Sequence, residues 1–281
     1  MGRLWTRRFA GRTFLILLTC VLLCGQRAGA KLVANLLSPD KLAAARSAAA
    51  TLAAQRLAVQ QLDAGRYALN AASAAGLLAT NDGREVLGFI VSCALPSTIT
   101  IVAEGGVEFF GELGLAKPWL TSPLDLDGER WVSACLFART NNEGFPVPLS
   151  LRGLHPALAL TAGEAAANTV EQGAFYGDYF IPGGPQVACS GADELVAEIR
   201  LRECAGPSTG DPTRTKCGFT YAGSCGDFAQ TFACRDQSKY GYYTACYDRS
   251  ICQPRDQNAT CPVPPGPPFT QVITAFLAPP Q

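Results

Sequence analysis

DGERWVSACLFAR, residues 127–139, is the stretch on which the fold turns. Asp127-Gly128-Glu129-Arg130 reads as the opening of a helix that runs through Trp131 and Cys135 to about Arg139. Its acids sit where the positive end of the helix dipole favours them. Trp131, Cys135 and Ala138 share one face at helical spacing, so the cysteine points toward a core. A second helix with the same property lies upstream. Asp82-Gly83-Arg84-Glu85 has the form of a capping box. Val86, Ile90, Cys93 and Ala94 make one face, and Pro96 stops the helix. Cys93 to Cys135 is the first expected disulfide, because both lie on buried faces and neither has a nearer partner. On a chain-entropy account it would contribute about 3–4 kcal/mol.

Strand signals surround these helices. STITIV (97–102) is rich in β-branched residues, and VEFFGEL (107–113) follows the Gly105-Gly106 turn. FPVPLSLRG (145–153) alternates, with Pro146 and Pro148 pointing to a sheet edge. FYGDYFI (175–181), VACS (187–190) and LVAEIRLREC (195–204) read as further strands. Near the start, Ser38-Pro39-Asp40 marks a helix N-terminus. Alanine and leucine carry that helix to about Leu62, and Asp63-Ala64-Gly65 ends it. The expected fold is α+β: one antiparallel sheet with packed helices, followed by a small disulfide-stapled cysteine-rich module. The expected divisions are a signal segment (1–30), an alanine-rich helical segment (31–80), an α+β core (81–204), the cysteine-rich module (205–261) and a proline-rich tail (262–281). The apolar run that ends the tail would add an edge strand to the core or serve as an interaction tail.

The first 30 residues read as an export signal. Arg3, Arg7, Arg8 and Arg12 precede the apolar FLILLTCVLLC (14–24), and Ala28-Gly29-Ala30 is a small-x-small cleavage site. The apolar run is short for a membrane span, so no transmembrane segment is expected after cleavage. Leu23 before Cys24 makes a poor lipidation site. The signal holds five of the 23 basic residues and none of the 23 acidic ones, which leaves the remainder at a formal charge of −5. That balance favours neither nucleic acid nor an anionic membrane as partner.

Ten cysteines follow the signal: Cys93, Cys135, Cys189, Cys204, Cys217, Cys225, Cys234, Cys246, Cys252 and Cys261. An even number behind an export signal implies disulfides in an oxidising space. Zinc is disfavoured, because no CxxC occurs and His155 is the only histidine. The missing CxxC also removes thioredoxin-like redox chemistry and c-type haem, and no cofactor motif is present.

For catalysis the residues offer weak candidates. His155 is the sole imidazole base, without a GxSxG nucleophile elbow to serve. Glu108 and Glu112 would share a face on an unbroken strand. Glu164, Glu171 and Asp178 flank the aromatic AFYGDYF. A glycoside-hydrolase-like site needs two such carboxyls in a ring-lined cleft. For binding, Tyr240, Tyr242, Tyr243 and Tyr247 offer flat apolar faces with polar tips, suited to sugars or protein partners. In a cysteine-rich unit the same rings could instead pack over disulfides. Asn258-Ala259-Thr260 fits the N-glycosylation pattern.

RWVSACLFARTNNEGFPVPLSLRG (130–153) and EQGAFYGDYF (171–180), together with the cysteine-rich tail, resemble a group of secreted, uncharacterised cysteine-rich envelope proteins of myxobacteria and related soil bacteria. The resemblance spans about residues 82–252. It implies a secreted or cell-envelope location and carries no catalytic residue. With it, the expected role is structural or binding work, with a cell-surface polysaccharide or envelope protein as partner. A secreted hydrolase using carboxylates is the rival.

Overall fold

The computed structural model describes residues 32–33, 36–199, 204–226, 233–239, 241–247 and 267–280. The segment expected as an export signal, Tyr240, Cys252, Asn258 and Cys261 lie outside the described residues. In chain order the first half holds β1 (Leu32–Val33), α1 (Pro39–Ala53), β2 (Ala58–Asp63), β3 (Arg66–Leu69), α2 (Ala71–Leu78), α3 (Asn81–Ala94), β4 (Thr100–Val102) and β5 (Glu108–Phe110). The second half holds α4 (Leu126–Arg139), β6 (Leu149–Arg152), α5 (Ala162–Ala167), β7 (Val170–Gly177), β8 (Gln186–Ser190) and α6 (Glu194–Ile199). It ends with β9 (Thr220–Ser224), β10 (Cys234–Gln237), β11 (Tyr243–Cys246) and β12 (Ile273–Leu277).

The fold is α+β, as expected, but the strands divide among three sheets. A six-stranded sheet has the order β1-β6-β12-β7-β8-β9, a four-stranded sheet has the order β2-β3-β4-β5, and β10-β11 is a separate pair. The expected single antiparallel sheet is corrected further, since β3 and β4 run parallel, as do β8 and β9.

α4 lies between the two halves. Asp125 caps it, its Oδ1 accepting from the Gly128 N–H at 2.8 Å, two residues before the expected opening. Every residue from Trp131 to Arg139 is buried, the condition of a helix packed on all sides. It meets β7, β12 and β6 of the large sheet and also α3. α3 in turn packs on α1, α2 and β5. The expected Cys93–Cys135 disulfide forms at this α3–α4 contact, with both cysteines fully buried.

Three local readings are corrected. The first helix ends at Ala53 rather than near Leu62, and residues 58–69 form the β2-β3 hairpin around Gly65, whose φ is +80°. Tertiary bonds override the helical propensity there. The Trp119 indole N–H donates to the Gln55 carbonyl at 2.8 Å, and the Leu57 N–H donates to the Trp119 carbonyl at 2.9 Å. The segment expected as a strand over 195–204 begins as helix α6. A short apolar run does not distinguish the two states by period alone. Finally, β12 is no edge strand. It is inserted between β6 and β7, and all five of its residues are buried.

The cysteine-rich part joins the same body. β9 extends the large sheet beside β8, and Cys189–Cys225 and Cys204–Cys217 bridge across the expected boundary at residue 204. Tyr176, Val187, Ala222, Tyr243, Phe269 and Val272 cluster there with Cys189, Cys225, Cys234 and Cys246. Replacing both members of the inter-helix bridge, Cys93→Ala with Cys135→Ala, is expected to lower unfolding stability by about 3–4 kcal/mol. Urea denaturation measures this, and an unchanged midpoint contradicts it. Non-reducing peptide mapping should return Cys93–Cys135, Cys189–Cys225, Cys204–Cys217 and Cys234–Cys246.

Candidate functional site

The carboxylates singled out from the sequence are dispersed and individually engaged. Glu108 on β5 accepts from Arg66 of β3 at 2.5 Å. β5 ends at Phe110, so the strand that would have aligned Glu108 with Glu112 is broken. Gly111 there runs so close to Leu95 and Pro96 that a Cβ would stand 2.3 Å from the Pro96 carbonyl oxygen. Glu112 instead accepts from Ser92 Oγ at 2.6 Å and from the buried Arg139 at 3.0 Å.

Glu164 and Glu171 belong to a sealed polar layer on the face of the large sheet opposite α4. On β6, Leu149 and Leu151 join the main core, whereas Ser150 and Arg152 point the other way. Ser150 Oγ donates to Glu164 Oε1 at 2.7 Å, and Arg152 Nε donates to Ser150 Oγ at 3.2 Å. Arg152 also donates to the Asn168 carbonyl and lies 3.7 Å from the Phe276 ring centroid. Glu171 reaches this layer through a bulge. The register passes from Ala275↔Gly173 to Phe276↔Glu171, leaving Gln172 extra. A bulge of this kind re-aims the side chains that follow it. Gln237 Nε2 donates to Glu171 at 3.2 Å, and the Tyr243 hydroxyl also bonds it. Burial is the main cause raising the Glu171 pKa, opposed by the bonds from Tyr243 and Gln237. Arg152 was not a sequence candidate. The alternation of LSLR places it opposite two core leucines, and that was the available signal.

Asp178 sits in the turn after β7. Its Oδ1 accepts from the Phe180 and Ile181 N–H groups at 3.0 and 3.3 Å, while Oδ2 is buried without a hydrogen bond among the described residues. Burial raises its pKa first, and these backbone bonds lower it. Glu129, on the first turn of α4, is pushed from an ordinary 4.5 up to about 6, chiefly by burial and then by the charges of Asp178 and Asp125. Arg46 of α1 clamps the turn. Its Nε donates to the Tyr179 carbonyl at 3.0 Å, and its Nη2 donates to the carbonyls of Asp178, Ile181 and Gly184 at 2.7–3.0 Å.

The tyrosine cluster separates into two roles. Tyr243 and Tyr247 are buried, and Tyr242 is half-buried. Of the two readings of these rings, packing describes Tyr243, which clusters with the disulfides, and Arg235 stacks over the buried Tyr247 ring. Tyr176 Oη donates to the Tyr247 carbonyl at 2.7 Å, fixing the chain after β11 to the large sheet. Cys189 Sγ lies 3.4 Å from Cys234 Sγ, so the Cys189–Cys225 and Cys234–Cys246 bridges stack. The sulfurs of Cys189, Cys225 and Cys234 fall within 4.8 Å of one another. All three are spent in disulfides, and a thiolate is the form that ligates metal.

Open space gathers at His155. One cleft of about 440 Å³ is lined by Leu154, His155, Pro156, Leu158, Leu160 and Tyr242. A second, of about 430 Å³, is lined by Leu115, Trp119, Asp125, Asp127, Gly128 and again His155. His155 Nδ1 accepts from the Ala157 N–H at 3.0 Å, capping a short 3-10 turn, so the neutral ring carries its proton on Nε2. Its ring packs edge-on against Trp131 at 5.1 Å. Asp125 is committed to its cap, and Asp127 accepts from Gln271 at 2.7 Å. Glu108, Glu112, Glu164 and Asp178 line neither cleft.

Glu129 generates a pH prediction. Its pKa is higher in the folded state than its ordinary value, so the folded protein binds the extra proton between about pH 4.5 and 6. Stability contributed by this group is therefore present at low pH and lost as pH rises through that window. Glu129→Gln should flatten this part of the stability-versus-pH curve, with variant and parent converging below pH 4.5. Thermal melts across the window measure it, and parallel curves would rule out the assignment.

No protein-family model matches the chain, and neither a curated protein nor a solved structure matches it.

Proposed function

We propose that the chain is an exported, disulfide-stabilised binding protein of the cell envelope or extracellular space, which holds a cell-surface polysaccharide or a segment of an envelope protein. The observation that carries this reading is the pair of clefts meeting at His155. The loop between β10 and β11 brings Tyr242 to the wall formed by residues 153–160, and the neighbouring cleft adds the exposed carboxylates Asp125 and Asp127. A ring beside carboxylates suits sugars, whose apolar faces stack and whose hydroxyls donate.

Four buried disulfides support an oxidising compartment. The arginine-led apolar segment at the N-terminus and the resemblance to secreted envelope proteins support export. Among the described residues no helix is long and apolar enough to cross a membrane. The rival hydrolase needs two carboxyls about 5–9 Å apart in one cleft, and no described cluster supplies them from Glu108, Glu112, Glu164 and Asp178.

The test is a glycan array together with a pull-down from the producing cell surface, using the full chain. Tyr242→Ala should weaken the captured ligand about three- to tenfold, the worth of one aromatic contact, without changing the melting temperature. Silence of the intact protein in both assays would sink the binding reading.

A further inference from the structure

We propose that the cleft between α1 and the 182–186 turn is an oxyanion site, which takes a carboxylate, sulfate or phosphate group carried on a compact sugar-sized body. The inference is independent of the His155 clefts. This cleft, of about 250 Å³, is lined by Arg46, Gly183, Gly184, Pro185, Gln186, Arg214 and Thr220. Two arginines therefore border one small space.

Arg46 is set in place before any ligand arrives. Its Nε and Nη2 are taken by the four carbonyls of the 178–184 turn, and Nη1 makes no bond among the described residues. Arg214 is anchored at one point, Nη1 to the Gly218 carbonyl at 3.1 Å, which leaves Nε and Nη2 without a bond among the described residues. Thr220 and Gln186 line the same wall, and their side chains carry neutral donors. Guanidinium is the side-chain group whose planar donor fork matches oxyanions.

The nearby carboxylates do not occupy the cleft. Asp178 bonds the Phe180 and Ile181 amides, and Asp211 accepts from the Thr213 N–H and hydroxyl at 2.9 and 2.6 Å. Neither lines the space between the arginines. A second cleft of about 310 Å³ shares Arg46 and Gly183 and continues over Ala43, Ala44, Ala50 and Pro182. This alanine face of α1 is a shallow apolar shelf beside the charged end, which is why the ligand is assigned a body as well as an anion.

The experiment is calorimetric titration of the full exported protein with inorganic sulfate and with a sulfated disaccharide. Expected is saturable one-site binding of both, tighter for the disaccharide. Arg214→Gln should weaken both about tenfold, whereas Tyr242→Ala leaves both unchanged. Arg214 holds a single surface bond, so its variant should keep the parent's unfolding midpoint. Thr220→Val provides a second, smaller loss at the same site. Absence of saturable binding, or binding that Arg214→Gln leaves within about twofold, overturns the site. Equal affinity for the two probes overturns the shelf.

Discussion

A helix buried on every side must be satisfied from two directions at once, and α4 sets that requirement for the whole molecule. One side packs on the large sheet and the other on α3. The Cys93–Cys135 bond is the covalent form of that second contact. Polar groups near the contact are paired across it. Arg139, buried at the end of α4, donates to Ser92 of α3 and to Glu112 beyond β5. Desolvation lowers the Arg139 pKa, and the Glu112 charge opposes that shift. Losing the carboxylate would remove a charge that supports a buried cation, which costs more than losing a surface pair.

The other face of the large sheet is covered differently. There the chain offers few aliphatic side chains and uses stacked disulfides with Tyr176, Tyr243 and Phe269. Short segments that cannot bury enough apolar area gain order from cross-links. Glu171 and Arg152 form a charged layer between the β10-β11 pair and the sheet, and Tyr243 bonds into it. This is the reason that a run of tyrosines, attractive as a binding face, leaves Tyr242 as the ring that lines a described cleft.

Local signals carried α3, α4 and their disulfide, because cap, apolar face and terminating residue agree with the final packing. They also located β6 and β8, whereas the strand expected over 175–181 meets β7 only at residues 175–177. They failed where distant groups decide the outcome. The helix that stops at Ala53 does so beside Trp119, more than sixty residues away in sequence. The clefts at His155 were not legible, since they unite the α4 N-terminus, the 153–160 loop and Tyr242. Arg46 sits in an alanine-rich helix with no local signal of a partner, and the turn it clamps is more than 130 residues on. His155 was visible as the lone histidine, but its role as a cap depends on the turn that Pro156 starts.

The placement of β12 bears on how the protein is made. β6 and β7 are separated in space by residues 273–277, so neither can complete its ladder until that segment has left the ribosome. A nascent chain halted before it would expose two open strand edges, the form most prone to pair with other molecules. Contacts of such long range also slow folding.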